Sequence, residues 1–507
     1  MSMSPTFLAF HTASRALAAS QANIDVTGNN IANVNTKGYT RQRVDQNSIS
    51  SGGYTQKYGL PMASPGWGVE VSGISQSRDP FLDARFRDQA SEKGKLDTIL
   101  SGLSDLESIF DEASTDGLLN ELSNFINDLQ TLSQTPSAGD IAFITRTAAQ
   151  KVTQIMNVYS NQVTQVRNQQ IFDLSRVVIE NEFNTKVKGI ADLNDQIRKE
   201  QTYGNTPNEL LDKRNLLIDE LSELAKIKVT SLPEKITEDL TIERLTVSLY
   251  DTATGASISL VDRGLYNTLY VTDNGDRVNV GIASSFGSAA SGDITAHFSG
   301  GSIRGYLDLI NGKGINEFRG ALYYRDSMDI FASNFARVLN DLNTVDPLNP
   351  KPLFTASGGG AITAENIRIS DEWLADATYI TTSTYGSDGG DNILRMIAAI
   401  DTDTSFYKDA ADPSSTVMFK GSFHDYLSGL IGEVALDAEL YQNYTDTSAN
   451  VLNGLYAARE SISGVSLNEE GISLMAYQKS YNAAMRYFTV LDEAVDALIN
   501  RMGIAGR

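Results

Sequence analysis

Three histidines, His11, His297 and His424, stand far apart in this chain, and cysteine is absent from all 507 positions. Those counts remove much of the usual catalytic chemistry. A thiolate nucleophile or a cysteine zinc site has no residue to build it. No H-E-x-x-H occurs, and no two histidines lie close enough in sequence to suggest a metal pair. The run Gly300-Gly301-Ser302-Ile303-Arg304-Gly305 holds a serine between glycines, but its spacing is wrong for a nucleophile elbow. Gly312-Lys313-Gly314 is followed by Glu317 where a further glycine would have to stand, so neither phosphate loop fits. Asp388-Gly389-Gly390-Asp391 offers carboxylates near glycines, yet lacks the twelve-residue ligand pattern and closing Glu of a calcium loop. It reads as a turn and helix cap. The 63 acidic residues allow many carboxylate pairs and single out none. The expectation is a protein that is not an enzyme, with no catalytic, cofactor or metal site.

Composition points the same way. At roughly 150 residues per domain the length suggests about three domains. The 41% hydrophobic and 21% charged content is that of a chain able to bury a core. A formal charge of −22 opposes binding to nucleic acid or anionic lipid. No run of 18 apolar residues occurs, which argues against a membrane span, and the N-terminus lacks the basic start and continuous apolar stretch of a signal peptide. The missing thiols suit a protein that leaves the reducing cytosol. The charge is uneven: +2 over residues 1–50, −1 over 457–507, and −23 between them. Nearly neutral ends permit packing with copies of themselves, while an acidic middle stays solvated.

Periodicity supplies the elements. Near the start, Met3, Phe7, Phe10, Ser14, Leu17, Gln21, Ile24, Gly28 and Ile31 follow a coiled-coil spacing, flanked by Ala13, Ala16, Ala19 and Ala22. Near the end, Leu474, Gln478, Tyr481, Met485, Phe488, Asp492, Val495, Ile499 and Met502 do the same, with Tyr477, Leu491 and Leu498 widening the stripe. Heptad-like runs over 83–135, 141–199 and 207–224 predict long helices in an antiparallel bundle. The period changes near residue 227, and Asn274-Gly275 between alternating runs predicts a hairpin. Helix returns over about 302–343 and again from Asn392, with an interruption near 403–420.

The fold expected is therefore an α+β multidomain chain. Residues 1–45 and 460–507 would pair as a terminal α-helical coiled coil. Residues 46–227 and 301–459 would form a long-helix bundle body, with β-rich excursions near 50–80 and 350–385. Residues 228–300 would be an inserted β-rich outer domain.

Two segments carry a resemblance. Residues 18–43, AASQANIDVTGNNIANVNTKGYTRQR, closely resemble the N-terminal signature of bacterial flagellar axial proteins, the rod, hook and hook-associated family. Ser463-Gly464-Val465-Ser466-Leu467-Asn468-Glu469-Glu470, followed by Tyr477-Gln478-Lys479-Ser480-Tyr481-Asn482-Ala483 and Leu491-Asp492-Glu493, resembles the partner motif. Gly66-Trp67-Gly68-Val69-Glu70-Val71, Arg78-Asp79-Pro80-Phe81-Leu82, Pro207–Leu221 and Gly389-Gly390-Asp391-Asn392 look like the hook-associated branch. The resemblance implies that both ends pair inside a tube, with Ile24, Gly28, Asn29, Asn30, Ile31, Asn33, Asn35, Gly38 and Tyr39 as an N-terminal assembly motif. Leu474, Tyr477, Tyr481, Met485, Phe488, Leu491, Val495, Leu498 and Ile499 would form a C-terminal helix used for assembly and for chaperone binding. The asparagines are poor helix formers that compete for backbone hydrogen bonds, so the strip can turn the chain and offer amides to neighbouring copies.

The same resemblance implies a structural role at the junction between hook and filament, assembled as a ring of self-copies. Its partners would be the hook protein, a second junction protein, a cytosolic export chaperone and the type III export apparatus, and its place the extracellular flagellum. Nucleic acid and membrane insertion are not expected. A hook or distal rod protein, or a secreted adhesin using the β-rich insertion, are the alternatives the residues leave open.

Overall fold

The computed structural model describes residues 5–49, 66–110, 117–237, 241–250, 255, 257–284, 292–314, 317–386, 389–412 and 414–501. The first and last helices meet. Helix α1 (Pro5–Ala32) lies beside α12 (Leu467–Arg501). Phe10 meets Phe488 edge-on at 5.2 Å and Asn30 reaches Glu470, which makes the pair antiparallel. Strands β1 (Gln42–Ser48) and β2 (Val69–Gln76) form an antiparallel ribbon beside α1, with a bulge at Asp45/Gln46.

Below the pair, α2 (Pro80–Phe110) runs antiparallel to α11 (Phe423–Ser463), with Arg459 beside Asp83 at one end and Ala438 against Ile99 and Leu103 further along. The largest core gathers the inward stripes of α3 (Leu118–Gln134), α4 (Gly139–Phe172), α8 (Ala321–Asn343) and α10 (Asp391–Asp401). Leu122, Phe125, Val152, Met156, Phe331 and Phe335 are all but fully buried there. The far end is closed by the short ribbons β9 (Phe354–Ala356) with β10 (Ile367–Ile369) and β11 (Thr404–Tyr407) with β12 (Val417–Gly421). The short α9 (Asp371–Ala375) adds a fully buried Trp373 set edge-on to Phe354. Ser422 and Asp425 start α11 with a reciprocal cap, each side chain answering the other's backbone N–H. The acidic Gly389-Gly390-Asp391 turn serves α10, where Asp391 accepts from the backbone and hydroxyl of Thr384. Asp388 of that turn lies outside the described residues.

From Gly139 to Thr202 the chain is one continuous helical rod. It passes from α4 through a π-helical stretch, Asp173–Phe183, into α5 (Asn184–Thr202). Leu174, Ile179, Phe183, Val187 and Ile190 on this rod are buried against an antiparallel six-stranded sheet. Its strands are β3 (Ile227–Lys235), β4 (Thr241–Tyr250), β5 (Ser257–Asp262), β6 (Leu265–Asp273), β7 (Val278–Ser284) and β8 (Gly292–Asp293), in that order. Asn184 fastens rod to sheet by bonding both the N–H and the C=O of Leu269.

The β-rich stretch expected over 228–300 is this sheet, and it packs on helices that lie outside that stretch. The alternation over 228–300 gives each strand a single apolar face, and an antiparallel sheet with one apolar face needs a cover. The rod, with α6 (Asn208–Leu224) and α7 (Gly301–Asn311), supplies it, so sheet and helices share one core. Gly301 shows how close they come: at φ +82 it sits where a Cβ would lie 2.3 Å from the carbonyl of Leu224. Two boundaries also move. The helix expected over 302–343 is broken between Asn311 and Ala321, where Gly312 and Gly320 press on neighbouring carbonyls. The C-terminal helix begins at Leu467, not 460, because Gly464–Ser466 ends α11 first.

Candidate functional site

The terminal pair is held to the body by a buried polar joint. Asn30, only 1% exposed, accepts at Oδ1 from the backbone N–H of Gln42 (3.0 Å) and from the Tyr39 hydroxyl (2.9 Å). Its Nδ2 donates to the Gln42 carbonyl (2.9 Å) and to Glu470 Oε2 (3.2 Å). Glu470, buried at the first turn of α12, also accepts from Arg41 Nε at 2.8 Å. One asparagine thus closes the loop after α1 and latches the start of α12.

The next layer comes from α6. Asp212 accepts from the N–H of Thr40 (3.1 Å) and from Gln76 Nε2 (2.8 Å), and Asn208 receives Gln76 on its carbonyl while donating to Ile74. Burial pushes the Asp212 carboxyl up from the ordinary aspartate range, although Thr40 and Arg78 pull it down. Asp219 takes Arg87 Nε and Arg459 Nη1 at 2.7 Å each, and Asp83 takes a bidentate Arg78 at 3.0 Å. Arg459 also lies over the ring of Phe86 at 4.0 Å. The buried charges of Pro207–Leu221 are therefore the node at which the N-terminal segment, α2 and α11 converge. Burial, then Asp212, Glu209 and Glu470, raise the Tyr39 phenol to about 12. Gly38, at φ +82, lets the chain turn against Leu216 of α6.

Above the joint the helices stand almost free. In α12 positions 470, 474, 477, 481, 484, 491 and 495, none of them exposed, follow a heptad seam facing α1. Leu474, Tyr477, Tyr481, Leu491 and Val495 lie on it as half-buried residues, and Phe488 joins through Phe10. Met485 does not: it is 44% exposed, and Ala484 holds the seam instead. Ile499 is 71% exposed, because the register set by Phe10 and Phe488 carries it past Pro5, the first described residue of α1. The Leu498 side chain lies outside the described residues. In α1 the buried positions are Ala13, Ala19, Asn23, Val26, Thr27 and Asn30, while Ser14, Gln21 and Gly28 of the expected stripe face solvent. Small residues, chosen for close approach, set that seam. Ile24, Ile31 and Asn29 are half-buried, Asn33 back-bonds to Asn29, and Asn35 is exposed.

The spacing missed a second stripe. Ile472, Met475, Tyr487 and Val490 share the face of α12 opposite the seam and are 65%, 56%, 46% and 59% exposed. Their spacing of three within each pair was visible, but one heptad grid cannot describe apolar residues on two faces of a helix. Among the described residues no group of acidic and histidine side chains is placed to hold a metal, and no helix is long and apolar enough to cross a membrane.

Residues 103–346 match the model of the flagellar hook-associated protein FlgK helical domain, and residues 10–40 that of the flagella basal body rod protein. Flagellar hook-associated protein 1 of Bacillus subtilis is 29% identical over the full length of both chains. The protein of the same name in Salmonella typhimurium is 25% identical, covering 96% of this chain and 98% of that one. The chain is thus similar to flagellar hook-associated protein 1 over its whole length. The flagellar hook junction protein FlgK of Burkholderia pseudomallei shares the fold, with a TM-score of 0.58 at 11% identity over 75% of this chain and all of that one. The protein is thus a structural component of the flagellum and not an enzyme. The helical-domain match runs through the sheet, so this family treats rod and sheet as one stretch, as their shared core requires.

Proposed function

We propose that this protein forms the first junction between hook and filament, outside the cell, as a ring of copies joined through their terminal helices. The observation that supports this most is the set of exposed apolar side chains on the free side of α12, where Lys479 and Arg486 also stand. Ile472, Met475, Tyr487 and Val490 lie exposed on one side of a helix whose other side already has a partner. Burying each such side chain is worth roughly 1.5–3 kcal/mol, and in the assembled ring a neighbouring subunit supplies the cover. The joint sets the direction of the pair, so added copies meet at a fixed geometry. Hook protein would lie on one side of the ring and the second junction protein on the other.

An apolar helix of this kind needs a guard before it reaches its site. A cytosolic chaperone covering the C-terminal helix, and export through the flagellar type III apparatus, fit a chain with no thiols and a nearly neutral C-terminal segment. Deleting the gene tests the reading. Hooks without filaments, with flagellin lost to the medium, are expected. Normal filaments, or the absence of hooks, would overturn it.

A further inference from the structure

Two copies of a chain with a formal charge of −22 repel each other unless they meet where charge is low. The body offers two such places. On α11, Leu436, Leu440, Tyr444, Val451 and Ile462 are 39–63% exposed, and their spacing sets them on one side of the helix. Thr447, Gly454 and Ala458, exposed and uncharged, fill the intervals. The charged groups of α11 turn elsewhere. Asp437 holds Arg319 in a bidentate pair, Glu433 accepts from the Tyr323 hydroxyl, and Arg459 is engaged with Asp219. Glu439 lies on the flank, in the groove against α2.

The second place is the outer side of α4. Phe143, Val158 and Phe172 are exposed at 54%, 49% and 55%, with Gln154, Asn161 and Gln165 spaced between them on the same side. Lys151 reaches back to Glu121 at 3.9 Å and Arg146 donates to the Leu374 carbonyl at 2.8 Å, and the one carboxylate on this side, Asp140, stands at the first turn of the helix. Helix α2 separates the two faces. It makes a groove with α11 on one side and with α4 on the other, and Asp105 lines both.

A ring requires contacts of head-to-tail type, in which each copy presents two different surfaces, whereas a single self-complementary patch stops at a dimer. Two faces of low charge, one on either side of α2, meet that requirement. The α11 face is about 40 Å long and one helix diameter wide, a footprint on the order of 400 Å². A stable interface takes about 800 Å² from each partner. The contact is therefore too small to hold copies together in solution and acts only where the terminal helices already align them.

Resting on the ring reading above, we propose that the α11 face of one copy packs against the α4 face of the next. The apolar ridge of α11 meets the amide-rich surface of α4, with Phe143 and Phe172 bracketing it.

The absence of native cysteine makes the test direct. The variant Val451→Cys/Asn161→Cys and each single variant are expressed in place of the natural chain, flagella are isolated, and a flexible bis-maleimide is applied. The proposal expects a ladder of covalent oligomers from the double variant in flagella, none from either single variant, and none from the free protein. Self-linking by Val451→Cys alone would show a two-fold contact and overturn the pairing. Incorporation into flagella with no ladder from the double variant would overturn it while leaving the ring reading intact. Absence of every variant from otherwise normal flagella would overturn the ring reading and the pairing with it.

Discussion

Replacing Asn30 by alanine removes four hydrogen bonds at one point. The hydroxyl of half-buried Tyr39 can turn to water, and Glu470 keeps Arg41. Gln42 cannot compensate: it is 5% exposed, and both its N–H and its C=O lose their Asn30 partners. An unsatisfied buried donor or acceptor costs about 1–3 kcal/mol, so the variant loses about 2–6 kcal/mol at the joint. Because neither large core contains Asn30, this loss loosens the terminal pair and leaves the body intact. Hydrogen exchange followed by mass spectrometry reads this directly. Protection of peptides from α1 and from the first turns of α12 should fall by about thirty-fold or more, since 1.4 kcal/mol is tenfold, with α3, α4 and α8 unchanged. Asn35→Ala, at an exposed position, should change nothing beyond about 0.5 kcal/mol. Equal effects at Asn30 and Asn35, or a uniform loss of protection across the body, would refute the latch.

Other consequences can be measured on the purified protein. Asp219→Ala leaves the buried guanidiniums of Arg87 and Arg459 without their shared carboxylate, and should cost about 3–5 kcal/mol in urea unfolding; a loss under 1 kcal/mol would contradict the node. With Tyr39 raised to about 12, the folded chain holds its phenol neutral while the unfolded chain ionises from 10.0. The stability this provides is whole below pH 10 and is lost as pH rises toward about 12. Tyr39→Phe should therefore gain on the natural chain across that window in alkaline denaturation, and parallel curves would refute it. Gly301→Ala should lower the melting temperature far more than Gly255→Ala. Both have positive φ, but only Gly301 has a carbonyl where the new methyl must go. Equal shifts would mean that the packing between α6 and α7 yields.

What the sequence made legible followed from local pattern. Asn274-Gly275 between alternating runs indicated a hairpin, and the structure pairs Val271 with Val280 across it, with Gly275 at φ +83. Long helices were visible wherever one apolar stripe recurred. The joint was legible only as a resemblance. Pro207–Leu221 stood out as a motif, but that Asp212 reaches Thr40 and Asp219 reaches Arg459, 240 positions away, depends on tertiary packing that spacing does not encode. The asparagine strip was expected to offer amides outward, yet Asn30 turns inward and Asn35 outward, a choice set by the bend at Tyr39 and Gln42. The heptad grid of α12 fell one position off at Met485 because apolar residues on both faces let two registers fit equally well. Alternation showed which residues of the sheet face a core, but not that the rod, α6 and α7 share that core.

The central claim is that the free face of α12 is what joins one copy to the next. The variant Ile472→Gln/Met475→Gln/Val490→Gln makes that face polar without touching the seam or the joint. The decisive measurement is how much of this variant is present in isolated hooks, alongside its melting temperature as a purified protein. The account predicts a melting temperature close to that of the natural chain, a secreted protein in the medium, and hooks that lack it and carry no filament. Normal incorporation and normal filaments would contradict it.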